Sequence, residues 1–177
     1  LLNGETMTEP RIALLGTGYT LERVAERLPR EATIVIARSA ERVSALQEQG
    51  FTAEQLNIAD LVQVQKFFSR YSQIEVLVDG IPPLGMDGVT ADQGARNIAI
   101  AAPALCSKQR RILYISTTGV YGEENGAWVT EDRVATPRTK KGTYRLVCEQ
   151  VYRASPIPCC MLRVPAIYGQ GRGIGQG

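Results

Sequence analysis

RIALLGTGYTLERVAERLP, residues 11–29, decides the fold. It opens with a short apolar run, residues 11–16, that ends on glycine, as a strand buried in a parallel sheet does. Leu21, Val24, Ala25 and Leu28 then recur at helical spacing until Pro29 stops the pattern. Gly16, Thr17 and Gly18 join the two. Small residues at that junction let the backbone turn tightly and approach a diphosphate, whose charge then faces unpaired N–H groups at the start of a helix. Full dinucleotide loops place another glycine three residues after the second, and here that position is Leu21. A leucine presses on the sheet, so the expectation is either a helix riding higher or an altered nucleotide site.

Further along, the same alternation repeats. Residues 32–37 (ATIVIA) read as a second strand, and Ser39 is placed to cap a helix closed by Gly50. Residues 51–56 form a third strand. Asp60 caps the next helix, whose apolar face is Leu61, Val62, Val64, Phe67 and Phe68. Residues 74–78 (IEVLV) are the fourth strand, and a Gly- and Pro-rich stretch at 80–88 interrupts regular structure. A long helical pattern starts at Thr90, with Ala95, Ile98, Ala99, Ala102 and Leu105 on related faces. Residues 112–115 (ILYI), a loop at 123–139, a helix at 144–152 and a strand at 160–164 (CMLRV) complete the series. Strand and helix alternating in this way predict an α/β fold, a Rossmann-like doubly wound parallel sheet with helices on both faces. The expected organisation is a disordered segment or tag remnant at 1–10, one nucleotide-binding domain at 11–168, and at 169–177 a glycine-rich start of a substrate region lying beyond this sequence.

Composition narrows the function. With 44% hydrophobic and 21% charged residues in 177, the chain has the make-up of one globular domain. A net charge of +2, spread along the chain, gives no concentrated footprint for nucleic acid. No apolar run approaches the roughly 20 residues that span a bilayer, and residues 1–10 do not read as a signal peptide, so a cytoplasmic protein is expected. The four cysteines, Cys106, Cys148, Cys159 and Cys160, lack metal-ligand spacing, and there is no histidine to complete a zinc site or to serve as a hydrolytic base. Adjacent Cys159 and Cys160 point to opposite faces of a strand, so buried reduced thiols are expected.

The cofactor preference is read at the end of the second strand. An acidic residue there would bond the ribose hydroxyls of NAD, whereas Arg38, with Arg42 nearby, suits the extra phosphate of NADP. NADP is therefore expected, with NAD as the alternative.

STTGVYG at residues 116–122 resembles the extended short-chain dehydrogenase/reductases, the NAD-dependent epimerase/dehydratases, and the resemblance covers nearly the whole chain. GTGY at 16–19 is similar to the family's phosphate loop, residues 57–60 to its adenine-contacting turn, residues 78–83 (VDGIPP) to the loop after its fourth strand, and LRVPAIYG at 162–169 to its segment of cofactor and substrate contacts. The resemblance thus implies that Gly16, Thr17, Gly18, Tyr19, Asn57, Ile58, Asp79, Ile81, Pro82, Ser116 and Pro165 contact the cofactor. It also implies a nucleotide-sugar or small carbonyl or hydroxyl substrate and a homodimer.

Typical members use a Ser or Thr, a Tyr, and a Lys four residues beyond the Tyr. Thr117 matches the first, with Thr118 as its alternative. Registered on Glu149, the helix places Lys141 where the tyrosine belongs and Arg145 where the lysine belongs, and it contains no Tyr-x-x-x-Lys pair. Arg145 stays protonated and cannot act as a base near neutral pH, Lys141 could do so only with a strongly lowered pKa, and Tyr121 is the alternative phenol. The departure resembles an atypical branch lacking the pair, which leaves open a catalytically inactive NADP-binding regulator or sensor, or a dimerisation scaffold.

Overall fold

A computed structural model describes residues 9–83, 90–104, 111–122 and 125–173. The apolar runs become six strands: β1 (Ile12–Leu15), β2 (Thr33–Ala37), β3 (Thr52–Gln55), β4 (Val76–Asp79), β5 (Arg111–Thr117) and β6 (Cys159–Val164). The helices are α1 (Tyr19–Ala25), α2 (Ala40–Glu48), α3 (Leu61–Arg70), α4 (Gln93–Ala104) and α5 (Lys140–Ala154). All strand pairings are parallel, in the order β3-β2-β1-β4-β5-β6. β2 is buried at every position, the mark of a strand covered on both faces.

Strand alternation sends apolar residues to two cores. On one face Ala13, Leu15, Ile34 and Ile36 pack with Val64, Phe67 and Phe68 of α3, Ile98 of α4 and Tyr152 of α5. On the other, Leu14, Val35 and Ala37 pack with Leu21 and Ala25 of α1 and Val43 and Leu46 of α2. The fold class is therefore the expected one. Chain order reverses between β1 and β4, so the connections leaving these neighbouring strands diverge and open a crevice at the carboxyl edge of the sheet.

Local signals act as the sequence implies. Ser39 accepts from the Arg42 amide to start α2, and Asp60 accepts from the Val62 and Gln63 amides to start α3. α5 begins at Lys140, earlier than its apolar pattern, because Thr139 accepts from the Gly142 amide and fixes a first turn that is polar. The described thiols are free, and Cys148 is buried as expected, but Cys159 is half-buried and Cys160 exposed. Cys160 shares the outer face of the edge strand β6 with Leu162, itself 42% exposed, and no described helix covers that corner. Expectations for residues 1–8, 84–89, Leu105, Cys106 and 174–177 lie outside the described residues. Among the described residues no helix is long and apolar enough to cross a membrane, and no cluster of three potential metal ligands occurs.

Candidate dinucleotide site

The crevice holds a cavity of about 590 Å³, within the size range of small-molecule and cofactor sites. Successive strand ends build its walls: Gly16, Thr17 and Gly18 after β1, Arg38 after β2, Asn57 and Ile58 after β3, and Asp79 at the end of β4 with Ile81 and Pro82 after it. Nine of the sequence-expected cofactor residues thus meet around one space. Gly16 has φ +100°, and a Cβ there would lie 3.2 Å from the Ile81 side chain. Gly18 precedes α1 without a side-chain cap, whereas Ser39, Asp60 and Thr139 cap theirs, and the space beside its Cα is open. A cradle shaped by absent side chains at the switch point fits a bound diphosphate.

Leu21 neither blocks this space nor lifts the helix off the sheet. It is 3% exposed, turned into the α1/α2 core. A Cβ on Gly80 would come within 2.7 Å of Leu21 Cδ1, so a missing side chain at the end of β4 supplies the room that a third glycine supplies in other loops. Gly80→Ala is expected to lose about 1–3 kcal/mol of stability by overpacking. In denaturant melts Leu21→Ala should be costly alone but recover part of that loss in the double variant; strict additivity would refute the complementarity.

The β3 turn is held from behind. Asn97 Nδ2 of α4 donates to the Ile58 carbonyl at 2.8 Å, and Asn57 Oδ1 accepts from the Ala59 amide at 3.1 Å. The Ile58 side chain occupies the space where Gly94 has no Cβ. At the β2 end, Arg38 is exposed at the cavity rim while Gln55 Nε2 donates to its carbonyl at 2.9 Å. Arg42 is engaged elsewhere: its guanidinium lies 2.8 Å from the Glu22 carboxylate in the first turn of α1.

Behind the β4 loop lies a buried polar cluster that sequence reading missed. Asp79 is 3% exposed; its Oδ1 accepts from the Ile81 amide at 2.9 Å and its Oδ2 from the Tyr152 hydroxyl at 2.6 Å. Burial pushes the Asp79 carboxyl above the usual carboxylate range, against the Tyr152 and Ile81 hydrogen bonds and the Arg145 charge. Burial likewise pushes the Tyr152 and Tyr114 phenols up, and the Cys148 thiol up to about 11. Tyr114 and Cys148 line the cavity, yet with these shifts neither loses its proton near neutral pH. The one available signal was spacing: Tyr152 follows Arg145 by seven residues, two helical turns, on one face of α5.

The remaining expected site residues lie outside the cavity lining. Ser116, assigned to the cofactor, is buried and donates to Glu149 Oε1 at 2.6 Å, because alternation in β5 turns it toward α5. Tyr19 stacks under the Arg23 guanidinium at 3.5 Å and donates to the Gln170 carbonyl at 3.2 Å, so its ring serves the chain's last described turn. Pro165 is exposed beyond β6. Among the expected catalytic residues, Thr117 accepts from the Gly119 amide and caps the turn Thr118–Val120. Tyr121 is 8% exposed beneath the Arg163 guanidinium, and Lys141 is exposed in the first turn of α5. Arg145 Nη1 donates to the carbonyls of Ile115 at 2.8 Å and Ile81 at 3.2 Å and to the Tyr114 hydroxyl at 3.2 Å. None of the four lines the cavity.

Strand order, the crevice at the β1/β4 switch point and the loops around it define a Rossmann-type doubly wound domain. No family model and no curated protein matches the sequence. Solved structures do. The Bordetella bronchiseptica enzyme WbmG, in complex with NAD and UDP, is similar with TM-score 0.75 and 23% identity over 90% of this chain and 54% of its own. UDP-glucuronic acid 4-epimerase from Bacillus cereus, in complex with NAD, is similar with TM-score 0.71 and 20% identity over 89% and 57%. A functionally unknown conserved protein from Silicibacter pomeroyi shows 30% identity and TM-score 0.64 over 92% and 55%. The chain spans little more than half the length of these structures, with which it shares the fold.

Proposed function

We propose that the chain is the cofactor-binding portion of an NADP-binding protein of the epimerase/dehydratase type, with a nucleotide-sugar or small carbonyl or hydroxyl substrate for the whole protein. The observation that carries the reading is the convergence of the β1, β2, β3 and β4 loops on one cavity at the switch point. The residues at Gly16, Thr17 and Gly18 would hold the diphosphate, Asn57 and Ile58 the adenine, and Arg38 the ribose phosphate. The NAD complexes of WbmG and the Bacillus cereus epimerase support a dinucleotide in such a cavity, while Arg38 supports the phosphorylated form here. When bound, the nicotinamide supplies hydride transfer; the chain's own part is to bind and orient it.

A second reading, binding without turnover, is favoured by Arg145. Its guanidinium is occupied by backbone carbonyls at the position where the resemblance expects a lysine assisting a tyrosine. Titration of NADPH and NADH by calorimetry tests the common element of both readings. Saturable binding is expected for each, tighter for NADPH; absence of binding by both overturns the proposal, and preference for NADH removes the role given to Arg38.

A further inference from the structure

The Ile81 peptide groups are held by Asp79 of β4 and Arg145 of α5, and α5 also supplies the Tyr152 that holds Asp79. The Ile81 amide donates to Asp79, whose other oxygen takes the Tyr152 hydroxyl, and the Ile81 carbonyl accepts from Arg145. Arg145 and Tyr152 both belong to α5, and the same Arg145 nitrogen also bonds the Ile115 carbonyl of β5. Helix α5 therefore ties the loop after β4 to the end of β5, directly behind a wall of the cavity. We propose that Arg145 and Tyr152 are positioning residues that hold this wall in its cofactor-receiving shape, so that α5 serves as a clamp on the β4 loop. The proposal rests on the dinucleotide reading for what the wall receives, and on the hydrogen bonds for the clamp itself.

The residue types agree with this role. Asp79 and Tyr152 are sealed from solvent, so their bond has no competing water and its loss leaves a buried polar group unsatisfied. Arg145 Nη1 carries two hydrogens yet faces three oxygens, a cluster that the three hydrogens of an ammonium match in number. Lysine is thus the conservative replacement, and methionine removes every donor while keeping an apolar stem.

The test uses the 177-residue chain and its Tyr152→Phe, Arg145→Met and Arg145→Lys variants. Exchange of the Ile81 amide hydrogen, followed residue by residue by NMR, reads the clamp without any ligand, and calorimetry reads NADPH affinity. Tyr152→Phe and Arg145→Met should each speed Ile81 exchange and weaken NADPH by about tenfold, while Arg145→Lys restores both toward wild type. Unchanged Ile81 exchange in both disruptive variants overturns the clamp, whether or not NADPH binds. Faster exchange with NADPH affinity unchanged, or failure of Arg145→Lys to restore either reading, overturns the positioning role. If wild type binds no dinucleotide, the dinucleotide reading falls, and with it the purpose assigned to the wall, while Ile81 exchange still decides whether α5 grips the loop.

Discussion

Replacing Arg38 by alanine is expected to weaken NADPH by about 10- to 100-fold and to leave NADH within about twofold, because a hydrogen bond to a charged group contributes about 1.5–3 kcal/mol. The geometry singles out this residue. Arg38 sits at the cavity rim where β2 ends, and its carbonyl is fixed by Gln55, so the backbone that carries the guanidinium does not depend on the side chain. Arg42, one turn into α2, is paired with Glu22, and Arg42→Ala should affect NADPH far less. Calorimetric titration of both cofactors against both variants checks the assignment. An equal loss for NADPH and NADH in Arg38→Ala would make the residue a structural element of the β2 end.

Arg163→Met is expected to cost the fold about 3–5 kcal/mol, the range for breaking a buried ion pair from one side. Glu149 is fully buried in α5, where Arg163 of β6 meets it through Nε at 3.1 Å and Nη2 at 2.7 Å. The bond to Glu149 is the first reason the Arg163 guanidinium is held even more firmly protonated than usual. Without Arg163, the carboxylate keeps the Ser116 hydroxyl and Arg153, which is 53% exposed and 3.4 Å away, too little to offset its lost hydration. For a domain of this size the melting temperature should fall by roughly 6–20 °C. Adding Glu149→Gln should recover much of the loss, since a neutral amide still accepts from Ser116 and no buried charge remains unpaired. A single variant that melts with wild type would show that water or another cation reaches Glu149.

Distance along the chain separates the features legible in the sequence from those that were not. Periodicity located every described strand and most described helices because burial on two faces demands unbroken apolar runs, and one helical face demands its own spacing. Caps at Ser39 and Asp60 were legible since the bonds they make span two or three residues. The loops lining the cavity were legible too, because the end of a parallel strand must point to the carboxyl edge whatever its neighbours are. Side-chain direction at those ends was not. Ser116 and Tyr19 were assigned to the cofactor and turn elsewhere, Ser116 toward a glutamate 33 residues away and Tyr19 toward the Gln170 carbonyl.

By itself, then, the amino-acid order determined the α/β class, the parallel sheet and the place of the crevice, all consequences of local hydrophobic period and turn chemistry. Only the tertiary structure decided that Leu21 fits over Gly80, that Glu149 pairs with Arg163, and that Asp79 meets Tyr152 across 73 residues. The physical reason is that a buried polar group must find a partner wherever packing brings one, and packing joins residues whose separation in sequence carries no signal.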